Sequence, residues 1–521
     1  MERLKDSIDA LGVAWSRDPA DMTAYARDLF PRHHMAVRAG NVAAHAPRAV
    51  VWPETTKAVA HLVRFANERG VALVPFGAGS GVCGGVLPTK DTIVVDLKRM
   101  HAIRDLDRAK KTVTVEAGHM GLPFEEHLNR AGLTLGHFPS SILCSTVGGW
   151  IAARSAGQAS GLYGKIEDMV VALECVTGAG DVVHLVHRPN GPSFVPAIIG
   201  SEGTLAIVTA AKLRLHRAPS VRGFASWSMP SMQSGWSAMR EMFQSGLRPA
   251  VLRLYDPFDA MLARRTRKSP RAKTHEPGRG TTALRTLLAR PKLFGALLDS
   301  RVATRAMGGA LLVAIFDGHD ARAFDDVTRA RAIAEREGSF EGEGPARKWL
   351  AHRYSVSYRQ SPLFARGLFV DTMEVAATWS KLGALYDGVR AAIGSRAFVM
   401  AHLSHAYPDG CCIYFSFAGT AESKSRATWD AACDARYDAI WRDALSAVIE
   451  AGGTIAHHHG VGRSKSPRLG DEIGRAGLDA QRALKRAFDP RGVLNPGALL
   501  PPITPNPFAD DARPLEARSD A

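Results

Sequence analysis

The sequence predicts an α+β protein with at least two domains. Its 521 residues are enough for two or three domains with sizeable cores. Short β-branched runs separated by glycine turns fill the region from about 47 to 217, whereas helical and strand patterns mix between about 218 and 420. Long helical patterns dominate the region that follows, from about 423.

A glycine-rich loop is the clearest single signal in the chain. Residues 75–88 read PFGAGSGVCGGVLP and lie between two predicted strands, 71–77 and 92–97. Glycines let the backbone curl so that several N–H groups point at one anion, typically a diphosphate. In the doubly wound nucleotide fold a helix follows such a loop. Because a strand follows here, a diphosphate would rest on the loop amides alone; a flexible surface turn is the alternative interpretation.

Composition and pattern shifts divide the chain into five parts. They are an N-terminal helical segment, a strand-rich domain, a second domain with a basic insertion, a C-terminal helical part and a disordered tail. Their ranges are 1–46, 47–217, 218–420 with the insertion at 262–308, 421–500 and 501–521.

Positive charge is concentrated in the insertion. The whole chain carries a net charge of +15, and residues 264–305 hold twelve Lys or Arg against two acidic residues, a net +10. Leucines follow the basic run, and a segment of this kind can bind an anionic membrane surface. A solvated insertion is the other interpretation. No nucleic-acid motif accompanies the charge, so a specific nucleic-acid partner is not expected.

The remaining bulk features predict a cytoplasmic protein. Six cysteines show neither metal-type spacing nor a disulfide framework, which fits a reducing compartment. No stretch approaches the roughly 18 apolar residues of a membrane span, and the N-terminus MERLKDSIDALG lacks the apolar centre of a signal peptide. Peripheral contact with the inner face of the membrane is left open by the insertion.

The run HHHGVG, 457–462, is the strongest candidate for chemistry. Imidazoles transfer protons near neutral pH and bind anions or metals. No metal is predicted, because neither a cysteine nor a suitably spaced carboxylate flanks the run. Tyr414 lies in the apolar strand CCIYFSF, where a core residue and a proton donor are both open interpretations. Arg359 in SYRQSPLF can bind a phosphate or carboxylate, or lie on the surface. Arg253 in LRLYD alternates with apolar residues, and a position in a site and an outward position are both open interpretations.

Three separated segments carry a family resemblance. The string HFPSSILCSTVGGWIAARSAGQASGLYGKIEDMV, 137–170, resembles the second cofactor segment of flavin enzymes of the vanillyl-alcohol-oxidase type. It is most similar to their alkyldihydroxyacetonephosphate synthase (alkylglycerone-phosphate synthase) branch, with PSS in place of PDS and YGKIEDMV in place of YGNIEDLV. The glycine loop resembles the loop over the FAD diphosphate, and IIGSEGTLAIV, 198–208, resembles the third segment, ILGSEGTLGVI. The resemblance extends from about 47 to 500.

The resemblance implies a PCMH-type FAD-binding domain of two subdomains at 47–217 and an α/β cap domain at 218–420 whose sheet covers the flavin. FAD is expected to be noncovalent, and the role of Cys83 in the glycine loop stays open. The residues expected to bind FAD are Pro75, Phe76, Gly77, Ala78, Gly79, Ser80, Gly81, His137, Pro139, Ser140, Ser141, Ser145, Thr146, Gly149, Ala152, Ala153, Arg154, Ser155, Glu202, Gly203, Thr204, Leu205, Ala206, Ile207 and Val208.

The resemblance also implies the catalytic residues. Tyr414 is the expected general acid or base, and His457, His458 and His459 match a histidine run needed for activity. Arg359 matches the arginine expected to hold a substrate phosphate, and Arg253 matches a position near the substrate.

The implied reaction replaces the acyl chain of acyl-dihydroxyacetone phosphate by a long-chain alcohol, which yields an ether-lipid precursor without net redox change. The expected partner is therefore a phosphorylated, lipid-like small molecule, and a homodimer stays open. An FAD-linked dehydrogenase or oxidase of a 2-hydroxy acid such as D-lactate or glycolate is the alternative. Its EHGIG-like motif differs from HHHGVG at position 458. A flavin-free, lipid-surface binding protein is a third reading, which the intact glycine loop disfavours.

Overall fold

The computed structural model describes residues 8–38, 40–41, 45–264, 288–298, 300–354, 363–364, 368–421 and 426–501. These residues form two halves, each with its own large cluster of buried apolar side chains. The first half carries the glycine loop and the second carries a wide antiparallel sheet. This arrangement agrees with the predicted fold class, α+β with a cofactor domain and a cap domain.

Two sheets build the first half, as the predicted two-subdomain arrangement requires. One has the strand order β1-β2-β4-β3, in which β4 pairs parallel with β2 and β3, and the other, of order β5-β6-β10-β8-β9, is antiparallel throughout. A short ribbon joins β7 and β11. The strands are β1 (Ala14–Ser16), β2 (Ala49–Trp52), β3 (Ala72–Phe76), β4 (Thr92–Asp96), β5 (Ile103–Asp107), β6 (Thr112–Glu116), β7 (Leu133–Thr134), β8 (Val170–Thr177), β9 (Val182–Val186), β10 (Ala206–Arg214) and β11 (His216–Arg217).

The N-terminal segment, predicted as helical, also contributes a strand. Its helices are Pro19–Ala24 and Pro31–Arg38, but β1 pairs antiparallel with β2 and so extends the first sheet. This strand was not predicted, because three residues are too few to show an alternating pattern.

The second half is built on one seven-stranded antiparallel sheet of order β15-β12-β14-β13-β17-β18-β16. Alternation along β18 buries Ile413, Phe415 and Phe417 in the main core of this half, so Tyr414 points to the opposite face. The strands are β12 (Val221–Met229), β13 (Val251–Tyr255), β14 (Ala310–Gly318), β15 (Ser339–Gly342), β16 (Phe369–Thr378), β17 (Phe398–Ala406) and β18 (Gly410–Gly419).

Helices cover the sheets. The helix Thr56–Arg69 shows how local sequence sets their ends, because the Thr55 side chain accepts from the N–H of Ala58 and Gly70 ends the helix with a φ of 63°. In the described ranges no helix is long and apolar enough to cross a membrane. The other helices from residue 121 onward are Gly121–Arg130, Val147–Ala152, Ser160–Tyr163, Ile166–Met169, Val195–Ile198, Met232–Gln244, Pro257–Arg264, Pro291–Leu298, Arg301–Ala306, Arg322–Ala334, Gly344–His352, Leu382–Gly394, Arg426–Glu450 and Leu469–Phe488.

The C-terminal part, predicted as one unit at 421–500, is divided between the two halves. The helix Arg426–Glu450 packs its aromatic side chains into the core of the second half. The chain then returns to the first half, where the N–H of Leu73 donates to the carbonyl of Val493 at 2.7 Å. The HHHGVG run lies between these two attachments and therefore at the junction of the halves. Of the predicted tail, residues 502–521 lie outside the described residues.

Candidate active site

The glycine loop and the second predicted cofactor segment lie side by side. A Cβ added at Gly77 would lie 2.4 Å from the hydroxyl oxygen of Thr146, the residue that caps the helix Val147–Ala152. At Gly79 the φ is +66°, and a Cβ would lie 2.6 Å from the ring of Phe76. Only glycine fits these two positions, so the backbone N–H groups stay uncovered by side chains. This geometry fits a diphosphate held by loop amides.

The third predicted segment is joined to the second by main-chain hydrogen bonds. The N–H of Gly200 donates to Ile151 and that of Glu202 donates to Ala152, both at 2.9 Å. Beyond Glu202 the chain enters β10, which is buried along most of its length. The structure thus brings all three predicted FAD segments together, although they are spread over residues 75–208 of the sequence.

Several polar side chains of the second segment form hydrogen bonds with other residues of the same segment. The imidazole of His137 is fully buried, its Nε2 lies 2.6 Å from the Ser155 hydroxyl, and burial lowers its pKa to about 3. The Ser145 hydroxyl accepts from the indole N–H of Trp150 at 2.8 Å. Arg154 instead turns its guanidinium to Glu167 and is half exposed. Of these predicted FAD ligands, Arg154 has its side chain committed to an ion pair.

The partly buried Tyr414 and the buried His458 form the centre of the site. The hydroxyl of Tyr414 lies 2.5 Å from Nε2 of His458. The His402 ring stacks on Tyr414 with centroids 5.0 Å apart and an interplanar angle of 9°, and His405 lies against His458. Burial raises the pKa of Tyr414 well above its ordinary value, so the phenol stays protonated in the resting enzyme. The pair is arranged for proton transfer between a hydroxyl and an imidazole.

The other two histidines of the run are neutral. Burial, aided by the neighbouring His458, lowers the pKa of His457 and of His459 to about 3. The Nδ1 atoms of His457 and His458 are 2.9 Å apart, as in a hydrogen bond between two imidazoles. His457 and His459 therefore provide proton acceptors rather than fixed positive charges at neutral pH.

Two buried carboxylates, one from each half, hold the loop that carries the histidines. Glu374 on β16 accepts N–H groups from all three histidines at 3.0–3.4 Å. Glu202 accepts from Val461 at 2.6 Å and from Gly462 at 2.9 Å. Glu202 stays a predicted FAD ligand, and its carboxylate is bound to this loop. The loop is therefore hydrogen-bonded to both halves.

One cluster of metal-ligating residue types occurs among the described residues. The ligand atoms of Glu374, Cys412, His457 and His458 all lie within 4.8 Å of one another. The sequence did not show this cluster, because the carboxylate and the thiol come from other strands. The Glu374 carboxylate already accepts three main-chain N–H groups and faces the ammonium of the fully buried Lys465 at 3.9 Å. The four side chains belong to a hydrogen-bonded network, in which a metal cation would compete with the ammonium of Lys465 for the Glu374 carboxylate.

The structure describes one of the two predicted substrate arginines, Arg253. Arg253 on β13 is buried, donates from Nε to the Tyr255 hydroxyl at 2.9 Å and stacks on Trp349 at 5.3 Å. Burial raises the pKa of Tyr414, and the positive charge of Arg253 partly offsets this effect. Arg359 lies outside the described residues.

Comparison with known proteins is consistent with this geometry. A family model described as "FAD binding domain" matches residues 47–186, and one described as "FAD linked oxidases, C-terminal domain" matches residues 218–499. The chain belongs to the FAD-linked oxidase family. The predicted cofactor, FAD, and the predicted pairing of an FAD-binding domain with a cap are therefore confirmed.

Within the FAD-linked oxidase family, the chain is similar to alkyldihydroxyacetonephosphate synthases. That of Trypanosoma brucei brucei is 30% identical over 514 residues, which cover 95% of this chain and 80% of the relative. A solved alkyldihydroxyacetonephosphate synthase superposes with a TM-score of 0.74 at 26% identity, over 95% of this chain and 85% of that one. The glycolate oxidase subunit of Bacillus subtilis is 27% identical over 90% of both chains. The predicted branch of the family is confirmed, and the alternative is represented by a less similar relative.

Four residues of the site were not predicted from the sequence. Glu374, Lys465, His402 and His405 surround the Tyr414–His458 pair, yet they lie in unremarkable apolar or mixed runs. The alternation of β18 would have turned Tyr414 to one face, but only the strand register places Glu374 and His402 on either side of it.

Proposed function

We propose that this enzyme holds FAD without a covalent bond and exchanges the acyl chain of acyl-dihydroxyacetone phosphate for a long-chain alcohol, forming an alkyl ether. The observation that carries the proposal is the partly buried hydrogen bond between the Tyr414 hydroxyl and His458 Nε2. In such an exchange a carboxylate leaves and an alcohol enters, and each event moves one proton. Bound FAD supplies the electron-poor ring system, and this chain's residues supply the proton carriers.

Noncovalent binding is supported by the side chains near the loop. Cys83 is buried, and burial raises the pKa of its thiol to about 12, so it stays a protonated and unreactive thiol. His137 is fully buried with Nε2 bonded to Ser155. Neither side chain offers an accessible nucleophile to a flavin ring.

Substrate recognition requires a cation for the phosphate. We assign this role to Arg359, as the resemblance implies, with Arg253, whose charge lowers the pKa of Tyr414, as the second charge. Arg253 is fixed by Tyr255 and Trp349, so its position changes little on binding.

The experiment that tests the proposal is direct. Purified, FAD-loaded protein is incubated with acyl-dihydroxyacetone phosphate and labelled hexadecanol, and the alkyl product is measured. Oxidation of D-lactate or glycolate with an artificial electron acceptor is measured in parallel. The second activity without the first would favour the 2-hydroxy acid dehydrogenase, which the similarity to a glycolate oxidase subunit keeps as the alternative.

A membrane surface is proposed as the source of the lipid substrate. The helices Pro291–Leu298 and Arg301–Ala306 lie within the basic insertion, and Leu293 and Val302 on them are 70% and 80% exposed. Apolar side chains beside a basic segment suit the boundary of an anionic bilayer.

The double variant Leu293→Glu, Val302→Glu is expected to lose most of its co-sedimentation with vesicles that contain phosphatidylglycerol. Two carboxylates would replace the inserting side chains and repel the lipid head groups. Phe324→Glu is the matched control, because Phe324 is 55% exposed on another helix of the same half. Equal vesicle binding by the double variant and the wild type would contradict membrane contact through these helices.

A further inference from the structure

The carboxylate of Glu374 touches the imidazole that is bonded to Tyr414. Its Oε1 lies 3.3 Å from Nδ1 of His458, while the other ring nitrogen, Nε2, lies 2.5 Å from the Tyr414 hydroxyl. The three side chains therefore form a line in which the imidazole has a carboxylate on one side and a phenol on the other. Glu374 is fully buried, so no solvent competes for these contacts.

The line has a direction, because an ionised carboxylate can only accept hydrogen bonds. Burial raises the pKa of Glu374, whereas the nearby His458 and Lys465 lower it. The pKa of Glu374 lies well below its ordinary value as a result. With Glu374 ionised, a proton on Nδ1 of His458 faces two acceptors, the carboxylate at 3.3 Å and Nδ1 of His457 at 2.9 Å. The unprotonated Nε2 then faces the Tyr414 hydroxyl as an acceptor.

The same carboxylate also fixes where His458 stands. The main-chain N–H groups of His457, His458 and His459 all donate to it. Lys465 stabilises the carboxylate from the other side and donates to the carbonyls of Ile455 and Glu374 at 2.7 Å and 3.2 Å. One carboxylate thus contacts both the backbone of the loop and the Nδ1 side of the His458 ring.

We propose that Glu374 is a positioning residue that holds His458 as the Nδ1–H tautomer, so that its Nε2 accepts the proton of Tyr414. The Tyr414 O–H bond breaks, the N–H bond forms at Nε2, and the resulting imidazolium remains next to the carboxylate. The proposal rests on the acid–base role proposed above for Tyr414 and His458. It assigns a function to a strand residue that neither the histidine run nor the glycine loop suggests.

The first test measures the tautomer and needs no substrate. Proton–nitrogen correlation spectra of the FAD-loaded protein labelled with [15N]histidine are recorded, and the His458 signals are assigned by their absence in His458→Gln. The expected result in the wild type is a proton on Nδ1 and none on Nε2. A proton on Nε2, which a metal ion at Nδ1 would also produce, would overturn the proposal.

The second test replaces the carboxylate by a group of the same shape. In Glu374→Gln the amide N–H₂ can donate to Nδ1 and so favours the Nε2–H form, which cannot accept the tyrosine proton. We expect the tautomer signals to change and kcat for acyl exchange to fall about 100-fold, with KM changed much less. An unchanged tautomer or an unchanged kcat in a folded Glu374→Gln protein would contradict the proposal.

Asp371→Asn is the matched control on the same strand. Asp371 is also buried, and its carboxylate accepts from Tyr437 and from Trp441 in the core, away from the histidines. This variant is expected to unfold at a lower temperature but to keep the His458 tautomer and kcat. If no acyl exchange is found with any variant while the wild-type tautomer is as expected, the proposed reaction is wrong and the role of Glu374 stands.

Discussion

Replacing Tyr414 by phenylalanine is expected to lower the rate of acyl exchange about 1,000-fold while FAD stays bound. The phenyl ring keeps the stacking contact with His402, but the hydroxyl that lies 2.5 Å from His458 is lost. A positioned proton donor or acceptor contributes about 10²- to 10⁴-fold to a rate. The alkyl product formed from labelled hexadecanol gives kcat, and the visible spectrum gives the FAD content.

Tyr437→Phe is the control for this substitution. Tyr437 is a buried tyrosine of the second half, with its hydroxyl donating to Asp371. Its loss is expected to cost stability, on the order of 1–2 kcal/mol, and to leave exchange within about twofold of the wild type. An active Tyr414→Phe enzyme would remove this residue from the mechanism.

Replacing Gly79 by alanine is expected to weaken FAD binding about 100-fold, so that the purified protein is largely colourless. The added Cβ would lie 2.6 Å from the Phe76 ring, which is buried and cannot move away. The loop backbone must then shift, and its N–H groups lose their common direction toward the diphosphate. FAD titration followed by flavin fluorescence measures the dissociation constant.

Gly70→Ala is the control, because it introduces the same kind of backbone strain without a clash in the glycine loop. Gly70 has a φ of +63°, close to the +66° of Gly79, but nothing lies within 4 Å of its added Cβ. Both substitutions therefore carry a similar strain, of about 1–2 kcal/mol, and only Gly79→Ala disturbs the loop. Equal FAD affinity in the two variants would mean that the glycine loop does not hold the cofactor.

The FAD segments and the histidine run could be predicted from the sequence, whereas the residues that contact the histidines could not. The three FAD segments carry their own signals, since a turn that only glycine can make leaves glycines in the sequence. The HHHGVG run was likewise visible as three adjacent histidines. These features are local, so the sequence predicts them without knowledge of the fold.

The partners of the histidines could not be predicted in this way. Glu374 and Tyr414 lie opposite each other because β16 and β18 pair in one register, and a shift by one residue would turn either side chain to the other face. Glu202 offers a similar lesson, because its place in the SEGTL segment gave no sign that its carboxylate binds the loop after the histidines. Contacts between halves depend on how the halves dock, which no local pattern records.

The measurement that tests the account most directly is the transfer of labelled hexadecanol into an alkyl ether by the FAD-loaded protein supplied with acyl-dihydroxyacetone phosphate. We expect ether formation with release of one fatty acid for each alcohol incorporated and no consumption of an electron acceptor. A protein that binds FAD but forms no ether, and instead reduces an acceptor at the expense of a 2-hydroxy acid, would contradict the account.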